Sequence, residues 1–89
     1  ASNVIDRITL ANDTTNAIDR CDLTVGREGI SAITNNIYGW FGGGYSGAAS
    51  NVIDRITLAT DTTNAVDRCD LTVARWGLAA ITDNIYGWF

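Results

Sequence analysis

Shifted by 48 residues, this chain lies almost over itself. Residues 1–41, ASNVIDRITLANDTTNAIDRCDLTVGREGISAITNNIYGWF, align with residues 49–89, and only seven of the 41 positions differ: 12, 18, 26, 28, 30, 31 and 35. A period of this length belongs to solenoids, propellers and arrays, in which one unit cannot bury its apolar faces alone. The chain divides into a first repeat, 1–48, and a second, 49–89, that lacks the final seven-residue linker. Two copies are too few to stand by themselves, so the question is what completes the structure.

Composition narrows the answer. A chain of 89 residues that is 46% hydrophobic and 18% charged is folded, and forms at most one small domain. It contains no Lys, His, Met or Pro, and six Arg carry all the positive side-chain charge. A net charge of −4 argues against a nucleic-acid partner, which requires clustered basic residues facing phosphates. No apolar run reaches the ~18 residues of a membrane span, and no basic-then-apolar leader opens the chain. Cys21 and Cys69 occupy one repeat position, and equivalent sites in successive repeats lie farther apart than the ~7 Å a disulfide allows. Two free, half-buried cysteines are expected. With no His they form no zinc site.

Within the repeat the local pattern is that of strands. Asn3 to Leu10 is rich in β-branched residues and alternates, with Val4, Ile8 and Leu10 on one side and Ile5, Arg7 and Thr9 on the other. Residues 11–16, Ala-Asn-Asp-Thr-Thr-Asn, are turn formers. Ala17 to Leu23 reads as a second strand and Ile30 to Thr34 as a third. Asn35-Asn36, matched by Asp83-Asn84, fits a hairpin loop because Asn and Asp tolerate positive φ. Ile37-Tyr-Gly-Trp-Phe41 is a fourth strand, ended by Gly42-Gly43-Gly44. A helix over residues 4–18 is the competing reading, outweighed by the Val, Ile and Thr content and the NDTT turn. Four short strands per 48 residues match one blade of a β-propeller. Blades pack on both faces, which accounts for apolar residues on both sides of a strand.

The residues also resemble a family. Arg75-Trp-Gly-Leu-Ala-Ala-Ile-Thr82, with Ile37-Tyr-Gly-Trp-Phe-Gly-Gly43 in the other copy, is similar to the kelch repeat. The Arg before the innermost strand and the glycine pair closing the second strand carry the likeness, together with the polar turn Asp61-Thr-Thr-Asn64. One departure is that Ala17-Ile18 and Ala65-Val66 stand where kelch repeats have a tryptophan. The resemblance implies an all-β fold, a β-propeller of four-stranded antiparallel blades. Strands would run outward from Ile30 or Leu78, with Ala32, Ala80 and Ser31 or Ala79 nearest the channel.

Under that order the chain opens with the third and fourth strands of one blade. A complete blade follows over 30–71, and the chain ends with the first and second strands of another. Two-blade chains would then close a cyclic homo-oligomer by strand exchange, a head-to-tail interface. Its expected interface residues are Val4, Ile5, Ile8, Leu10, Ile85, Tyr86, Trp88 and Phe89, which would otherwise present bare apolar faces and edges. A tetramer is favoured over a trimer or pentamer. Near-identical copies and interlocking ends are expected of an excised or engineered fragment of a repeat array.

Chemistry is sparse. Asp6-Arg7 and Asp19-Arg20, with Asp54-Arg55 and Asp67-Arg68, read as ion pairs within or between blades. Asn12, Asp13, Asp19 and Asp22 lack the calcium-loop pattern, and Gly42–Gly44 lacks the Lys of a phosphate loop. Asn12-Asp13-Thr14 is a formal glycosylation sequon that the second copy lacks at Thr60. Without His, Lys or an activated nucleophile no catalytic set is present, so no enzyme, cofactor or metal is expected. The metal-binding histidines of kelch-type oxidases have no counterpart. Tyr38, Trp40, Tyr86 and Trp88 read as packing. Tyr45 and Trp76, in connecting segments, are the candidate contacts for a glycan or other small ligand.

Overall fold

Near-identical stretches of sequence form strands of different length, and the neighbours decide which. A computed structural model describes all 89 residues. The strands are β1 (Val4–Arg7), β2 (Ile18–Asp22), β3 (Ser31–Thr34), β4 (Tyr38–Gly42), β5 (Val52–Thr57), β6 (Val66–Asp70), β7 (Ile81–Thr82) and β8 (Gly87–Trp88). They form three antiparallel sheets: the hairpin β1-β2, a central four-stranded sheet β3-β4-β5-β6, and the hairpin β7-β8. The protein is all-β, and its full sheet takes two strands from each copy of the repeat.

β1 and β5 share the sequence Val-Ile-Asp-Arg-Ile-Thr. In β5 all six residues are strand, because β4 pairs along its other edge from Tyr38↔Thr57 to Gly42↔Ile53. β1 has β2 alone and stops at Arg7 after four residues. Leu10, expected in the first strand, instead opens a 3-10 turn over Leu10–Asn12 and is 84% exposed. β7 and β8 shrink to two residues each, where β3 and β4 hold four and five. Backbone groups of an unpaired edge have no ladder to hold them.

Simple alternation fails at one point in each copy. The pairing slips between Ile5 and Asp6, and again between Ile53 and Asp54. One extra residue of the partner strand is accommodated there, a bulge that re-aims the side chains around it. The hairpin loops follow the expected residues with a division of labour. Asn36 and Asn84 take positive φ of 75° and 73°. Asn35 and Asp83 instead accept backbone N–H bonds: Asn35 from Ile37 and Tyr38, Asp83 from Ile85 and Tyr86. Those donors hold the Asp83 carboxyl below the usual carboxylate range, the Tyr86 N–H contributing most.

Alternation along the paired strands assigns the faces of the central sheet. Ala32, Thr34, Gly39, Phe41, Asp54 and Ile56 share one face; Ile33, Trp40, Gly42 and Ile53 share the other. The β1-β2 hairpin covers the β5-β6 half of the first face, where Cys21 packs with Ile56 and Ala65 and meets Ile5 and Phe41. The β7-β8 hairpin covers the β3-β4 half of the second face. Gly87 lies directly against the Ile33 side chain, and a Cβ at Gly42 would sit 2.7 Å from the Phe89 ring. Only glycine permits either approach. Twelve of 89 residues are buried, a thin core that leaves half of each central face open.

Candidate functional site

Seven substitutions aside, the two copies differ only in surroundings, so each repeat position is its own control. Ile56 is 7% exposed, and its counterpart Ile8 is 46% exposed. Asp54 is fully buried while Asp6 is exposed; Tyr38 and Trp40 are half-buried while Tyr86 and Trp88 are exposed. Cys21 is buried and Cys69 exposed, both as free thiols, so the two are not alike in burial as expected. Burial raises the Cys21 thiol above its ordinary range. Of the expected interface residues, Val4, Ile8, Leu10, Ile85, Tyr86 and Trp88 stand exposed, and Ile5 and Phe89 are half-buried.

Polar groups fasten the first hairpin to the central sheet. Regular alternation along β5 puts Asp54, with Phe41 and Ile56, on the face that receives residues 21–27. There its carboxylate accepts from the Thr24 N–H at 3.0 Å, from the Thr24 hydroxyl at 2.7 Å and from the Arg27 guanidinium at 3.2 Å. The two side chains are 1% and 0% exposed. Arg27 also donates to the Phe41 carbonyl. A second contact gathers at Asp61, on the β5-β6 turn, which accepts from Arg20 at 2.7 Å and Arg7 at 3.0 Å. The Asn64 side chain accepts from the Asp22 N–H, and the Ala65 N–H donates to the Asp22 carbonyl.

Of the Asp-Arg neighbours expected to make ion pairs, Arg7, Arg20 and Asp54 do so, each with a partner distant in sequence. Asp54 joins Arg27 rather than a nearby Arg, and Arg55 stacks on Tyr38, 4.0 Å from the ring centre. Asp6, Asp19, Asp67 and Arg68 take part in no ion pair. Charge spacing alone did not pair Arg27 with Asp54 or Asp61 with Arg7 and Arg20. Both residues lie at marked positions of the repeat, Arg27 as the copy of Arg75 ahead of a strand and Asp61 in the polar turn.

The second copy repeats every one of these groups without a complement. Thr72 and Arg75 match Thr24 and Arg27; Arg55, Arg68 and Asp70 match Arg7, Arg20 and Asp22. Two apolar clefts accompany them. One, of about 390 Å³, lies on the first face along Ala32, Thr34, Gly39, Phe41, Ile56 and Leu58. The other, of about 260 Å³, lies on the second face between the Ile53, Cys69 and Trp40 region and Ile85, Tyr86 and Phe89.

Acid should weaken the docking of the first hairpin. The Asp61 carboxyl is held below its ordinary range, chiefly by the Arg20 hydrogen bond, and Arg20 is raised in turn. A depressed folded value contributes stability that is present above the unfolded Asp pKa, about 3.9, and is lost as pH falls through the folded one. Urea midpoints are expected to drop between about pH 6 and about pH 3, less steeply in Asp61→Asn. Equal slopes in both proteins would remove Asp61 from the account.

The expected ligand residues also meet. Tyr45 and Trp76 approach with ring centroids 5.8 Å apart and planes at 59°. Glu28, a residue the sequence did not single out, lines the same cleft. Its one signal was substitution, since position 28 becomes Trp76 in the second copy. No protein-family model matches this chain, and no curated protein is significantly similar to it.

Proposed function

We propose that this protein is a structural self-assembly module, a kelch-like β-propeller built by several copies of the chain with no catalytic role. One observation carries the reading. The same residues are buried where the preceding half-repeat lies against them and exposed where none does, as Asp54 and Ile56, under Thr24, Arg27 and Cys21, are against Asp6 and Ile8. The occupant that fits the exposed surface of the second copy is therefore residues 4–17 of another chain, since residues 52–65 already fit the first.

The contacts can be written out by adding the repeat period. β8 takes β1 of a second copy along its edge, with Trp88 opposite Arg7 and Phe89 opposite Asp6, as Trp40 faces Arg55 and Phe41 faces Asp54. Arg75 and Thr72 receive Asp6, and Arg55 and Arg68 receive Asp13. Ile8 and Ala17 cover Cys69. The interface is head-to-tail, so it closes into a ring when the rotation per chain divides a full turn. Each chain contributes two blades, and a tetramer of eight is the favoured ring.

Native mass spectrometry at micromolar concentration is the test. A single species of three, four or five chains is the expected result, and it counts the blades directly. Deleting Ala1 to Leu10 removes β1 and should abolish that species. A folded monomer, or a deletion that still forms the ring, would overturn the proposal.

A further inference from the structure

Glu28, Tyr45 and Trp76 form a feature that assembly does not use. They line an open cleft of about 310 Å³. Trp76 is 60% exposed, a large ring held in water with no apolar neighbour covering it. Backbone bonds fix the three residues from both sides. Glu28 and Tyr45 exchange N–H and carbonyl bonds of 3.0 and 2.8 Å, Gly77 N–H donates to the Gly29 carbonyl, and Gly44 N–H donates to the Arg75 carbonyl. The backbone that carries the rings is therefore held in place, which lowers the ordering cost of binding.

The charge at this corner selects the ligand. The Glu28 carboxylate has no ion pair. The adjacent cations turn away: Arg27 reaches Asp54, and Arg75 donates to the carbonyls of Phe89 and Val73. Two aromatic faces at an angle present the negative side of their quadrupoles, and a cation within about 6 Å of both is attracted. A carboxylate beside them adds a formal countercharge. A neutral sugar would stack on the rings, but it would find only the Tyr45 hydroxyl and Glu28 for its many hydroxyls.

We propose that Glu28, Tyr45 and Trp76 bind the quaternary ammonium group of a small organic cation. Residues 1–89 contain one such trio. Single-site binding is weak, in the millimolar range, because the rings are solvated. Several chains in one assembly would raise it by avidity for a ligand bearing several such groups.

Tryptophan fluorescence of the 89-residue chain, titrated with tetramethylammonium, tests this. A saturable change is expected, weakened about tenfold or more in Glu28→Gln; Trp76→Ala removes the reporter, so its expected loss of binding is read instead by saturation-transfer NMR of the tetramethylammonium methyl groups. Both residues are exposed, and far-UV circular dichroism confirms that each variant folds. A neutral probe of the same shape, neopentyl alcohol, separates charge from fit in the unaltered protein. Equal response to both probes, no saturable response to tetramethylammonium, or saturation by N-acetylglucosamine instead would each overturn the assignment.

Discussion

Asp54→Ala is expected to remove a large share of the chain's stability, about 3–5 kcal/mol. The substitution leaves the Arg27 guanidinium buried without its countercharge, and leaves the Thr24 hydroxyl and N–H without their acceptor. Removing one partner of a buried pair costs about 3–5 kcal/mol, because the remaining charge stays desolvated. The pair needs no discount for solvent screening, since both side chains are all but inaccessible. A small domain has about 5–15 kcal/mol in total, and this one has a thin core. Asp54→Asn keeps an acceptor for Thr24 and should fall between. Replacing Arg27 and Asp54 together by leucine should recover most of the loss, since an apolar pair of similar volume carries no desolvated charge. Urea unfolding followed by tryptophan fluorescence measures all three. A loss below about 1 kcal/mol for Asp54→Ala would show that the pair does not hold the hairpin.

Asp6→Ala, the same change one repeat earlier, should behave in the opposite way. Asp6 is exposed and unpaired within the chain, so the stability of a single chain should move by no more than about 0.5 kcal/mol. In the assembly it occupies the place of Asp54, and about 3–5 kcal/mol lost there raises the dissociation constant about a hundredfold or more. Urea unfolding at low concentration reads the first effect, and sedimentation over a concentration series reads the second. Alkylation of Cys69 follows the second too: in the proposed assembly Ile8 and Ala17 of another copy would cover the thiol and slow the reaction, and Asp6→Ala should speed it. Identical association in the two proteins would dismiss the interface.

The contrast between these two aspartates also marks how far the sequence can be read. Alternating β-branched residues located the strands, and the Asn-Asn and Asp-Asn pairs located the hairpin loops, because both signals are local. The division into hairpin, full sheet and hairpin followed from the strand order that the kelch resemblance implies. Strand length was not legible: Val-Ile-Asp-Arg is one sequence whether β4 lies beside it or not. Nor was the bulge after Ile5 and Ile53, which interrupts the alternation with no glycine or proline to announce it. The buried contact of Asp54 with Arg27, 27 residues distant, was hidden as well, because it depends on how the first hairpin folds over the central sheet. Tyr45 and Trp76 were legible as rings in connecting segments. Their carboxylate neighbour was not, since a lone Glu in a loop looks like any solvated residue.

One consequence reaches beyond this molecule's contacts. The full sheet straddles the boundary between copies, taking β3 and β4 from one and β5 and β6 from the next. The unit that is duplicated in the gene is therefore not the unit that folds. Every added copy supplies the second half of one sheet and the first half of another, in pairings already present. Unequal recombination that gains or loses a repeat changes how many sheets exist while leaving every hydrogen bond in kind. Copy number alone sets size, and a lineage of such genes can lengthen or shorten with no compensating substitution.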